Sequence, residues 1–180
     1  MSKLNGRKAA MATFVAMAAS LAVVSIANAA TYDLIIDEVT VDHSGTPKPA
    51  IAYNGQTPGP TLRFKEGEEV TINVTNRLDE ATSIHWHGLI LPPDQDGVPG
   101  ISFPGIAAGE TFTYRFPIVQ SGTYWFHSHS GMQEQDGAYG SIVIEPKERE
   151  PFKFDREYVV VLSDSHDDSG ERILSNLKKM

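Results

Sequence analysis

From Tyr32 onward, apolar and polar residues alternate with a period of two, in short runs broken by glycine and proline. That is the pattern of strands with one buried face. Tyr32 to Val41 alternates loosely, Val70, Ile72 and Val74 share one face of a second predicted strand, and Phe112, Tyr114 and Phe116 share one face of a third. Gly122 to Ser128 and Ser141 to Ile144 are further predicted strands. Turn residues punctuate them at Asn54-Gly55, Thr57-Pro58-Gly59-Pro60, Glu66-Gly67, Asp96-Gly97-Val98-Pro99-Gly100 and Ala108-Gly109. These residue types supply the backbone angles that tight turns require. Helix signals are scarce, and many short strands at this spacing predict an all-β sandwich or barrel.

Two stretches depart from this pattern. In residues 1–29, Lys3, Arg7 and Lys8 precede an Ala-rich apolar run from Ala9 to Ala27, with no acidic residue, and Ala27-Asn28-Ala29 has the small-x-small form of a cleavage site. This predicts a signal peptide and an exported mature chain, with an uncleaved membrane anchor as the alternative because the run is longer than the usual signal core. Pro146 to Lys153 is dense in charge and carries Pro146 and Pro151, as a linker would. Tyr158 to Leu162 then reads as a fresh strand. Residues 30–146 are thus the expected core domain, and 147–180 the expected linker and first strand of a second, incomplete one.

Composition narrows the chemistry. The net charge of −8 excludes a nucleic-acid partner, which would require clustered basic side chains. The absence of cysteine excludes disulfides, Cys-ligated zinc, iron–sulfur clusters, thiol nucleophiles and a complete blue-copper site.

The remaining chemistry lies in two strings, His85-Trp86-His87-Gly88 and His127-Ser128-His129-Ser130. On a strand, residues i and i+2 point to the same face, so each string presents two imidazoles as a pincer. One such pair alone reads as surface or hydrogen-bonded histidines. Two pairs on apolar-aromatic strands of one predicted sheet, holding four of the chain's six histidines, read as a metal site. Imidazole count and spacing leave zinc and copper both open. His43 and His166 stand among Asp and Ser and read as solvated loop residues.

Taken with Asp96-Gly97-Val98-Pro99-Gly100 and Gly122-Thr123-Tyr124-Trp125-Phe126 between and before them, the two strings resemble the amino-terminal domain of the multicopper oxidases. Asn76-Arg77-Leu78-Asp79 and Gln133-Glu134-Gln135 resemble the periplasmic copper-resistance members of the CopA type, and Glu157 to Asp164 resembles the opening of that family's second domain. The resemblance implies a cupredoxin-like Greek-key β-sandwich whose histidines give half of a trinuclear copper cluster, where dioxygen is reduced to water. Position by position, it implies that His85 binds the type 2 copper and that His87, His127 and His129 bind the type 3 coppers. Asp96 matches a carboxylate that helps to move protons, although an Asp before Gly is also an ordinary turn residue. Trp86, Tyr124 and Trp125 are expected to be core and packing residues around the cluster rather than electron relays.

The chain departs from the family in lacking the later H-x-x-H-x-H and H-C-H strings that complete the cluster and form the type 1 site. The expectation is therefore an amino-terminal part of an oxidase, inactive alone and needing the missing carboxy-terminal domains or a complementing chain. A stand-alone periplasmic copper-sequestering or transfer module, and a metal-free structural domain, are the competing readings. Gly6-Arg7-Lys8 departs from the twin-arginine export signal that relatives often carry, which favours general secretion.

Overall fold

The computed structural model describes residues 30–101 and 103–179, and the expected signal peptide lies outside the described residues. Eight strands form two four-stranded sheets. The first contains β1 (Ala30–Val41), β2 (Lys48–Tyr53), β4 (Glu69–Asn76) and β6 (Thr111–Pro117), in the order β2-β1-β4-β6. The second contains β3 (Leu62–Lys65), β5 (His85–His87), β7 (Gly122–His127) and β8 (Tyr139–Glu145), in the order β3-β8-β7-β5. β1 pairs with β4, and β3 with β8, in parallel, while the other neighbours are antiparallel.

The alternation seen in the sequence is the alternation of burial. In β4, Val70, Ile72 and Val74 are fully buried and the intervening residues are not. Facing them across the sandwich, Leu62, Phe64, Trp86, Phe126, Ile142 and Ile144 come from the second sheet and join one core cluster. Trp86 spans the gap, its indole edge-on to Tyr114 at 5.2 Å and tilted against Phe116 at 5.5 Å. Burying this aromatic surface supplies the main driving force for a fold without disulfides.

Two strands escape the sequence reading for local reasons. β2 carries Pro49, which demotes a strand signal, yet it lies at a sheet edge where a missing N–H is tolerated. β3 spans only four residues. The expected strand Tyr158–Leu162 is a correction: it makes no ladder, and Tyr158, Val160 and Leu162 are exposed. β-branched and aromatic residues express their strand preference only against a partner, and none lies beside this segment among the described residues. The chain there runs extended over the outside of the second sheet, held by an Arg63–Glu157 ion pair at 2.6 Å. It ends in an unexpected helix, α1 (Gly170–Leu177), capped by Ser169 and docked through Gly170 N–H to Asp136 Oδ1 at 2.9 Å.

The connection leading to β5 is fastened by a buried amide. Asn76 Nδ2 donates to the carbonyls of Glu80 and Ile106 at 2.8 and 2.9 Å, and its Oδ1 accepts from Leu78 N at 2.9 Å. Asn76→Ala would strand these groups inside the protein. We expect a loss of about 3 kcal/mol of stability, read by urea unfolding, since each buried group left unpaired costs roughly 1–3 kcal/mol.

Candidate metal centre

β5 and β7 are adjacent and antiparallel, with His85 opposite His127 and His87 opposite Trp125. Alternation sends Trp86 and Phe126 into the core, where both are fully buried. His85, His87, Trp125 and His127 therefore share the other face. The ring of His85 lies 5.4 Å from those of His87 and His127 and 5.6 Å from that of His129, with His127 and His129 5.9 Å apart. The structure thus gathers all four predicted histidines at one place. Donor nitrogens of His85, His87 and His127 all fall within 4.8 Å of one another.

One detail differs from expectation. β7 ends at His127, so His129 stands just beyond the strand rather than on it. Its backbone N–H is held instead by Ser83 Oγ at 2.9 Å.

Hydrogen bonds choose which nitrogen of each ring is free. His85 Nδ1 lies 2.9 Å from the Asp96 carbonyl and 3.3 Å from Asp96 Oδ1, so it carries the proton and Nε2 keeps its lone pair. His127 Nδ1 faces the Ser128 carbonyl at 2.9 Å and Glu134 Oε2 at 2.8 Å, leaving its Nε2 unprotonated. That Nε2 sits 3.1 Å from His87 Nδ1. Two imidazole nitrogens this close, with the outer nitrogen of His127 already bonded, suit a shared hydrogen bond or a metal ion between them. Burial pushes the His127 pKa below the usual histidine value, and the nearby His85 and His87 add to this, while the Ser128 carbonyl and Glu134 partly oppose it. Neutral imidazole is the form that binds metal. The donor set therefore fits a borderline transition metal held by nitrogen ligands.

The surroundings hold this geometry. Trp125 stacks on His87 at 4.8 Å and on His127 at 4.2 Å, a rigid platform for two of the rings. Tyr114 Oη accepts from Ile84 N–H at 3.1 Å, anchoring the residue before His85 to the opposite sheet. Burial raises the Tyr114 pKa well above its usual value, so the phenol stays neutral in that role. Beside Trp125 and Glu134 opens a cavity of about 310 Å³, lined further by Tyr139 and the extended segment at Val161–Asp164.

Of the expected supporting residues, Asp96 lies against His85 as described, and Trp125 packs directly on two rings. Trp86 lies in the core, in keeping with the reading of these aromatics as core and packing residues, and Tyr124 packs against that core and donates to the Ser121 carbonyl at 2.8 Å beside Gly88 and Gly122. His43 and His166 are exposed and distant from the cluster's contacts, as solvated loop residues. The sequence reading missed the role of Glu134. Its string was visible, but a carboxylate seven residues after His127 returns to that ring only because the intervening loop folds back.

Comparison with known proteins gives the class. Residues 35–149 match the family profile described as multicopper oxidase. Copper resistance protein A of Pseudomonas syringae pv. tomato is 55% identical over 155 residues, covering 86% of this chain and 26% of that protein. Copper resistance protein A of Escherichia coli is 52% identical over 160 residues, covering 89% and 26%. The crystal structure of a multi-copper oxidase from Pseudomonas thermotolerans superposes with a TM-score of 0.67 at 38% identity, covering 71% of this chain and 32% of that one. The chain belongs to the multicopper oxidase family, and its two sheets are the cupredoxin sandwich of that family. It spans about a quarter of the length of the curated relatives named here. Family membership resolves the choice that imidazole spacing leaves open, in favour of copper.

Proposed function

We propose that this chain is the copper-binding amino-terminal part of an exported, periplasmic multicopper oxidase that acts in copper resistance, and that it supplies half of the ligands of a trinuclear copper cluster. The observation that carries the reading is the convergence of the two histidine pairs, three rings on one sheet face and His129 beside them, with His85 and His127 both presenting an unprotonated Nε2. The relatives named copper resistance protein A favour the copper-resistance role. In this reading His85 holds the type 2 copper, and His87, His127 and His129 hold the type 3 coppers. Copper bound there supplies the electron transfer that reduces dioxygen to water in the assembled enzyme. Residues 1–29 act as the signal peptide, residues 30–146 as the cupredoxin domain, and residues 147–180 lead into a second domain.

The chain's own residues contribute orientation and protons. Asp96 fixes the His85 ring through its carbonyl and keeps a half-exposed carboxylate 3.3 Å from Nδ1. A carboxylate so placed passes protons from solvent to the site. Asp96→Asn keeps the backbone carbonyl contact, so copper uptake should persist. Oxygen consumption by the enzyme completed with its carboxy-terminal domains should fall on the order of 10²-fold, the usual worth of a positioned proton donor. An unchanged rate removes the proton role.

Metal identity is tested directly on the purified chain. X-ray absorption and metal analysis after loading with an equimolar copper and zinc mixture should find copper in nitrogen coordination. Preferential zinc retention would overturn the reading.

A further inference from the structure

His129 is the one ligand of the four that no strand holds, yet its ring keeps its place 5.6 Å from that of His85. What holds it is a buried polar network built on Gln133. The Gln133 side chain is 4% exposed. Its Oε1 accepts from Thr82 Oγ1 and from Ser128 Oγ, both at 2.7 Å. Its Nε2 donates to Glu80 Oε1 at 2.7 Å and to the Ala81 carbonyl at 3.0 Å. Every donor and acceptor of the amide is thus used.

These bonds join the two ends of the site. Residues 80–82 lead into the first histidine string, and Ser128 lies inside the second. Ser130 N–H donates in turn to Ser128 Oγ at 3.1 Å, so the residues on both sides of His129 are pinned. Ser83 completes the frame, its Oγ accepting from His129 N–H and lying 3.0 Å from Ser130 Oγ. Thr82, Ser83 and Ser128 are all buried, where water cannot substitute for a lost partner. A saturated buried network of this kind fixes a single arrangement, whereas a half-satisfied one does not.

We infer that Gln133 is a positioning residue for His129, setting its place relative to His85 through Ser128 and the segment before β5. An amide is required: a carboxylate would lose both donated bonds and an aliphatic chain all four. The inference rests on the reading of the four histidines as one metal site, but its structural part is measurable without metal.

The test is imidazole nitrogen–proton correlation NMR on the metal-free chain, followed by copper titration. In the unaltered chain His129 should give one resolved ring spectrum with cross-relaxation to His85. In Gln133→Leu the His129 signals should broaden or split and that cross-relaxation should vanish. The His85–His127 contact should survive, since the β5–β7 ladder holds it. Copper affinity should fall about 10- to 100-fold, as when partners that orient a ligand are removed. Leu34→Ala, a core truncation in the other sheet, serves as the control for general destabilisation and should leave the His129 spectrum unchanged. Should Gln133→Leu not fold, Ser128→Ala removes one arm of the network and is read in the same way. An unaltered His129 spectrum in the folded variant, or an equal disturbance in Leu34→Ala, overturns the inference. Failure of the unaltered chain to bind copper would instead defeat the metal reading, with the NMR result still deciding the positioning role.

Discussion

Replacing His85 and His127 together by alanine is expected to weaken copper binding by about 10³-fold or more, while the chain still unfolds in one cooperative transition. The two residues face each other across the β5–β7 ladder and both direct an unprotonated Nε2 into the site. Removing them deletes half of the donor set, and metal-binding free energy is spread over few ligands. The fold should survive because the strands are held by backbone pairing and by Trp86 and Phe126, whose side chains lie on the opposite, buried face. His127 is itself buried and bonded to Ser128 and Glu134, so its loss should cost roughly 1–2 kcal/mol of stability. Isothermal titration with copper and urea unfolding measure the two effects separately. Unchanged copper affinity in the double variant would show that the ion binds elsewhere.

The second large effect is expected at Gly97. Its backbone lies at φ +73°, and a Cβ there would come within 1.8 Å of the Ile84 carbonyl oxygen and 2.7 Å of its carbon. Those atoms are backbone and cannot swing aside. Gly97→Ala should therefore cost about 3 kcal/mol or more, adding left-handed strain to overpacking. The turn that carries Asp96 to His85 would be pushed away with it. Gly55 is the matched comparison, with φ +78° and open space around its Cβ position. Gly55→Ala should cost only about 1 kcal/mol, the strain alone. If urea unfolding gives the two variants equal losses, the close approach of the Asp96–Gly97 turn to Ile84 is not as described.

Much of this architecture is legible in the sequence because the physics behind it is local. Val70, Ile72 and Val74 alternate, and so are buried together. Asn54-Gly55 marks a turn, and both residues adopt positive φ. The first histidine string is legible for the same reason, since i and i+2 on a strand share a face and the β5–β7 pairing brings His85, His87 and His127 together, whereas His129 lies beyond β7 and owes its place to loop contacts such as Ser83. Pro49 hides an edge strand because its cost depends on where in the sheet β2 lies, which local pattern does not record. Tyr158–Leu162 fails in the opposite sense, carrying the composition of a strand without a partner to pair with among the described residues. Glu134 and Gln133 are the clearest cases. Their residue types are ordinary for a loop, and their contacts with His127, Thr82 and Ser128 arise from tertiary folding. The Cys-free composition, by contrast, bears on chemistry directly: a type 1 copper site needs a thiolate that this sequence does not contain.

The central claim, that this chain supplies half of a dioxygen-reducing copper cluster, is tested most directly by complementation. The copper-loaded chain is mixed with the carboxy-terminal half of a related oxidase, and copper content and oxygen consumption are followed together. A control uses that half with its own amino-terminal domain. Copper bound by this chain alone, with oxygen consumption appearing only after mixing, is the predicted result. Bound copper with no consumption after mixing, in a preparation where the control pair is active, would contradict it and leave a copper-sequestering module.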